Sequence, residues 1–183
     1  MAEPGQAGTW SRGQRALHWW TAAFVAVTFV IAWVMVAVPL SELLVKFLLY
    51  QLHKTLGILV FLAVLARLVL RARRGRPDQD TGMPAWQARA AAGGHAALYG
   101  LLLVTPMLGY LTASLAPLRI PTLFLGVIPL PALTGPDAAW FAVVVVLHRI
   151  CACALVLLAA GHAAAAIQHH RRGLGVLRRM WKG

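Results

Sequence analysis

LHRICACALVLLAAGHAAAAIQHH, residues 147–170, is the stretch that decides the architecture of this chain. It carries His148 and His162, 14 residues apart, in a run that is otherwise almost wholly apolar. Fourteen residues is almost four turns, so both imidazoles share one helix face, roughly 21 Å apart along the axis at 1.5 Å per residue. Ionisable side chains are rare in membrane helices, and those present face the bundle interior for a functional reason. Two histidines in register at different depths read as one wall of a two-level metal or haem stack.

The rest of the chain supports a bilayer setting. Of its 183 residues 60% are hydrophobic and only 12% charged, a balance foreign to a soluble domain. Four apolar segments, near 15–38, 48–71, 94–115 and 138–166, are each long enough for a hydrocarbon core of about 30 Å, which takes about 20 helical residues. Their Leu, Val and Ala content is continuous rather than alternating, as spans require. The fold class expected is all-α: a single-domain integral membrane four-helix bundle occupying 1–183.

Charge placement gives an orientation. Arg12 and Arg15 precede the first span, and Arg71, Arg73, Arg74, Arg76 and Arg89 lie between the second and third. Arg171, Arg172, Arg178, Arg179 and Lys182 follow the fourth, while the other two loops hold chiefly Lys46 and Arg119. The positive-inside rule then puts both termini and the 72–92 loop in the cytoplasm of a bacterial cell, with the chain multi-pass in the inner membrane. The net charge of +12 is thereby explained by topology, and a nucleic-acid partner is not expected. Residues 15–38 exceed the apolar core of a signal peptide and no small-residue cleavage motif follows, so the first span is expected to be retained. The 116–137 segment, with Pro117, Pro121, Pro129, Pro131 and Pro136, reads as an irregular outer cap.

Cys151 and Cys153, two residues apart, diverge on a helix and cannot bridge, and read as small core residues. A covalent haem would need Cys-x-x-Cys-His, which is absent.

Sorting the histidines by depth gives two layers. His53 opens the second span 18 residues before Arg71, roughly 27 Å away and therefore near the outer face. With His148 it forms an outer pair on the second and fourth helices. The inner layer holds His162, with His18 and His95 as alternative partners that spacing does not separate. Two opposed imidazoles per layer suit a haem iron with both axial positions filled from facing helices. Zinc fits less well, because neither layer offers the Cys, Asp or Glu that completes a typical four-coordinate site.

Four segments together resemble the bacterial di-haem cytochrome b561 family: LHWWTAAFV (17–25), LHKTLGILVFLAVLARLVLR (52–71), GHAALYGLLLVTPMLGYL (94–111), and the opening stretch with its basic tail ending in LRRM (177–180). The likeness runs from about residue 12 to 180, and the ordered set is more specific than any one motif. It implies two haem b groups, with His18 and His162 as axial ligands to the inner iron and His53 and His148 to the outer. It also implies that His95 is not a ligand, and that the chain exchanges electrons with ubiquinone. For small stand-alone members it implies oxidation of superoxide outside the membrane, a superoxide oxidase activity.

Further residues become candidates on this frame. Arg67 follows His53 by 14 residues, so it shares that helix face at the inner level and is a candidate to pair with a haem propionate or to help define a quinone pocket near it; snorkelling to headgroups is the alternative. His169 lies two turns beyond His162 on the same face, where it could hydrogen-bond a quinone carbonyl or move its proton. Ser11 and Gln14 are weaker candidates for the same region. Lys54, Arg149, Lys46 and Arg119 outnumber Glu42 and Asp137 at the outer side, an excess that neutralises propionates or draws in an anion such as superoxide. Trp19, Trp20, Trp86, Trp140 and Trp181 fit interfacial aromatic belts. Pro106 and Gly109 are expected to shape the third helix for close packing.

Two bis-ligated irons leave no open position for oxygen chemistry, so outer-sphere electron transfer across the membrane is the expected task. The alternatives are a cytochrome b membrane subunit joining quinone to a separate dehydrogenase or hydrogenase, and a haem-free transporter or metal carrier using the same histidines. Membrane lipid is an expected partner, and no protein partner is legible.

Overall fold

The computed structural model describes residues 10–75 and 84–181, so Arg76 and Lys182 of the basic clusters lie outside the described residues. Among the described residues, four helices are long and apolar enough to cross a membrane: α1 (Arg12–Ala37), α2 (Leu43–Arg74), α3 (Ala85–Leu115) and α4 (Ala138–Arg171). A one-turn 3-10 helix, Leu40–Glu42, precedes α2, and a short α5 (Val176–Trp181) follows α4. The architecture is the all-α membrane bundle expected from the sequence.

Local chemistry sets the helix ends. Ser11 caps α1 by accepting from the Gln14 backbone N–H, while the Gln14 side chain accepts from the Ser11 N–H. This reciprocal box satisfies two of the orphan donors of a helix start, a structural role for two residues weighed above as quinone candidates. Asp137 caps α4 by accepting from Ala139 and Trp140. At the far end of α1, Lys46 Nζ donates to the carbonyls of Met35 and Val38, filling acceptors the helix leaves open.

Several span boundaries differ from expectation. The first helix starts three residues before 15, and α2 extends at both ends of the expected 48–71. The third begins nine residues before 94, so Trp86 and Arg89 stand on helix α3 rather than in a loop. The reason is the Ala-rich run Ala85–Ala92, which favours helix without being apolar enough to mark a span. At 34 residues α4 is about 51 Å long and outruns the hydrocarbon at its ends.

The expected irregular cap contains an ordered element. β1 (Thr122–Phe124) and β2 (Ile128–Leu130) form an antiparallel hairpin in the register Thr122–Leu130, Leu123–Pro129, Phe124–Ile128. Its turn places Leu125 at φ 54° and Gly126 at φ 78°, with Val127 N–H donating to the Phe124 carbonyl. Two left-handed residues in succession match a type I′ turn, whose twist suits a hairpin.

The helices pack chiefly as two pairs, α1 along α2 and α3 along α4, while α1 and α4 meet at few residues. Between the pairs sits a small apolar core of Val60, Val64, Leu102 and Leu155, with Val64 fully buried. Leu155 stands midway between His148 and His162, so this core divides the histidine levels. Cys153 is exposed on the bundle surface and only Cys151 is partly covered, so the pair does not lie in the core as expected. One end of the bundle gathers the start of α1, the end of α2 and α5: Gln14 Nε2 donates to the Gly75 carbonyl at 3.5 Å, and the Trp19 indole N–H donates to the Met180 carbonyl at 3.0 Å. This is the basic end; the hairpin covers the other, capped end.

Candidate functional site

At the capped end His53 of α2 faces His148 of α4, with ring centroids 6.3 Å apart and planes 89° apart. At the basic end His18 of α1 faces His162 of α4, again with centroids 6.3 Å apart, planes at 64°. Two imidazoles on opposite sides of one metal, each nitrogen about 2 Å from it, carry their centroids about 6 Å apart. The same separation therefore recurs at both levels, on helices that differ in all but α4. His95 of α3 lies closer to His162, at 5.3 Å between centroids, in a ring-edge contact.

At the capped level the neighbouring backbone orients each ring. His53 Nδ1 lies 3.1 Å from the Thr28 carbonyl of α1, and His148 Nδ1 lies 2.9 Å from the Thr105 carbonyl of α3. A carbonyl only accepts, so each Nδ1 carries the proton and each Nε2 keeps its lone pair for a metal. Gly109 leaves room for the His148 ring: a Cβ there would stand 2.9 Å from Cε1. Pro106, one turn away in α3, deprives the Leu102 carbonyl of its helical donor and loosens the ladder beside Thr105. Both residues were expected to shape the third helix, and the structure gives Gly109 that role for a ligand-type ring.

The chain as a whole has counterparts among known proteins. The sequence profile of the prokaryotic cytochrome b561 family matches residues 9–183. The chain is also similar to cytochrome b561 homolog 1 of Escherichia coli (strain K12), 33% identical over 165 residues, which cover 87% of this chain and 89% of the relative. The chain belongs to the prokaryotic cytochrome b561 family. It is accordingly a multi-pass membrane electron-transfer protein of a haem b-binding family, and the facing histidine pairs fit such a group.

The basic level of this cytochrome is more crowded. Arg67 turns inward instead of reaching for headgroups: its guanidinium lies 3.2 Å from His18 Nδ1 and stacks on the Tyr99 ring at 5.2 Å. Arg71 flanks the same ring at 5.7 Å. Guanidinium is a donor only, so His18 Nδ1 accepts here, the reverse of the two capped-level rings. His169 is half-buried with Nδ1 shielded and without a hydrogen-bond partner among the described residues, as is one guanidinium nitrogen of Arg15. Both lie on the terminal side of the His18/His162 pair. Trp19 packs edge-on against Trp181 at 5.1 Å and against His18 at 5.3 Å, so Trp19 and Trp181 form a contact of the site's margin as well as a surface belt.

Sequence reading missed three participants. Tyr99 is one turn from His95, a spacing that could have flagged it. Thr28 and Thr105 act through their carbonyls, which side-chain patterns do not announce. Among the described residues, no group of three or more His, Cys, Asp or Glu side chains converges as it would on a bare metal ion. Lys54, weighed as part of an outer cationic excess, reaches the Pro121 carbonyl at 3.4 Å and serves the cap.

Proposed function

We propose that this cytochrome carries two haem b groups, one per level, and passes electrons between a donor at the capped, outer side and ubiquinone in the membrane. The observation carrying this reading is the repeated 6.3 Å facing of His53 with His148 and of His18 with His162. The ligand assignment is His53 and His148 for the outer haem and His18 and His162 for the inner. With both axial positions filled, haem b supplies reversible one-electron chemistry without an open site for oxygen.

The chain's own residues do the rest. The Thr28 and Thr105 carbonyls hold the outer rings in the ligating tautomer. Val60, Val64, Leu102 and Leu155 keep water out of the space between levels. Arg67, with Arg71 beside it, places positive charge at the inner level. Arg67 would pair with a propionate of a bound haem, which would leave His18 Nδ1 free to carry its proton and Nε2 free to ligate. His169 and Arg15, each with a buried nitrogen that no described residue pairs, suit a ubiquinone headgroup: His169 to supply a proton to a carbonyl oxygen, Arg15 to donate a hydrogen bond.

For the outer donor we propose superoxide. In the net reaction two superoxide anions each lose one electron to become dioxygen, and one ubiquinone takes up both electrons and two protons as ubiquinol. The positive-inside rule supports a cytoplasmic location for both termini and an inner-membrane setting.

Anaerobic stopped-flow absorbance of the purified protein tests the reading. Superoxide mixed with oxidised protein should raise a sharp b-type α band, and added ubiquinone should discharge it. Reduction by ubiquinol but not by superoxide would remove the superoxide assignment, and absence of any b-type band in reduced protein would remove the haem reading. Acceleration that fades with rising salt would support electrostatic steering by the outer cations.

A further inference from the structure

The cap sequence IPTLFLGVIPLPALTGP, residues 120–136, contains no charged side chain. Its apolar groups point outward: Leu125, Val127, Ile128 and Leu133 are all exposed, Val127 to 76%. A floppy loop could fold such groups away. This one is fastened in place, with its apolar side out.

Fastening comes from the neighbouring helices and is directed at the cap's backbone. Gln51 of α2 donates from Nε2 to the Pro121 carbonyl and accepts from the Leu123 N–H, both at 2.9 Å. Thr55, one turn on, accepts from the Leu125 N–H at 3.1 Å and donates to the Leu123 carbonyl at 3.4 Å. On α3, the Tyr110 hydroxyl donates to the Pro131 carbonyl at 2.6 Å and Ser114 Oγ accepts from the Leu133 N–H at 3.1 Å. Pro121, Pro129 and Pro131 have no N–H to satisfy. Irregular backbone is excluded from lipid because its polar groups go unpaired; here side chains and prolines remove much of that penalty.

Depth points the same way. Thr55 precedes Arg71 by 16 residues, about 24 Å of helix, which is less than a hydrocarbon thickness of about 30 Å. Strand β1 therefore meets α2 at a level bordered by lipid, next to Leu48 and Leu52, which are exposed on the same helix. Leu125 in a left-handed conformation, unusual for a leucine, adds a backbone held against its preference to present an apolar tip.

We infer that the 120–133 segment, built around the hairpin, is a membrane-seated wedge, its Leu125, Val127, Ile128 and Leu133 side chains buried in the acyl–headgroup boundary of the leaflet on the capped side. Lipid covers this face as a continuation of the lipid belt around α2. The wedge ties the depth of the His53 end of the bundle to that leaflet, since Gln51 and Thr55 bracket His53 in sequence.

Spin labelling of the haem-loaded protein tests this. Val127→Cys and Leu133→Cys are each made in a Cys151→Ala, Cys153→Ala background, labelled with a nitroxide and placed in phosphatidylcholine–phosphatidylglycerol vesicles. Glu42→Cys, on the exposed 3-10 turn at the same end, is the aqueous reference. Dissolved oxygen should relax both hairpin labels severalfold more than a water-soluble nickel chelate does, with the ratio reversed at Glu42→Cys. Nickel relaxation at the hairpin equal to the reference would overturn the inference. Protection from both agents would overturn it too, by revealing a protein contact.

Discussion

The imidazole of His148 rests on Gly109, so closely that a methyl group at that glycine would lie 2.9 Å from Cε1 and 3.3 Å from Nδ1. The ring fills the gap that the missing side chain leaves in α3, and its Nδ1 then meets the Thr105 carbonyl one turn earlier. Shape and hydrogen bond together fix one face of the capped-level pair.

Gly109→Ala should push this ring off its seat. Overpacking of this kind costs about 1–3 kcal/mol, and the displaced Nδ1 loses its carbonyl. The expected outcome is a change confined to one of two low-spin haem signals in the electron paramagnetic resonance spectrum, with the other unaltered. Equal change in both signals would contradict a local role.

Separate removal of the levels should have separable effects. His53→Ala should halve the haem-to-protein ratio measured by pyridine haemochrome and leave the component proposed for His18 and His162. His162→Ala should remove the complementary component. Loss of both components from either variant, in protein that still folds by circular dichroism, would argue against independent sites.

Arg67 places a positive charge at the basic level, and positive charge favours the reduced iron over the oxidised. Arg67→Leu should therefore lower the midpoint potential of the inner haem in a redox titration, while Arg67→Lys should retain most of it. Tyr99→Phe keeps the ring face under Arg67 and should shift the potential less. An unchanged inner-haem potential and haem content in Arg67→Leu would end the propionate assignment.

Gln51 is 4% exposed and serves two backbone groups of the cap. Gln51→Leu leaves the Leu123 N–H without that partner, and an unsatisfied buried group costs about 1–3 kcal/mol. Thermal unfolding in detergent should occur at lower temperature, with the haem spectra at room temperature unchanged. Gln51→Glu should be intermediate, since it keeps an acceptor for Leu123 and loses the donor to Pro121.

The four spans, their order and the two histidine levels are legible in the amino-acid sequence. Those features depend on helical rise and on the cost of charge in hydrocarbon, both local properties of a one-dimensional pattern. His148 and His162 had to share a face, and Arg67 had to share that of His53, whatever the bundle did. Spacing alone left His18 and His95 open as partners for His162. Only the tertiary structure sets one pair of centroids at 6.3 Å and the other at 5.3 Å, because that difference arises from how α1 and α3 approach α4. Tertiary packing likewise turned Arg67 inward to His18 and Tyr99, and made Thr28 and Thr105 participants through carbonyls that any residue type could have supplied. It also ordered the proline-rich cap, whose strands are too short to signal themselves and are held by Gln51 and Thr55 from some 70 residues away.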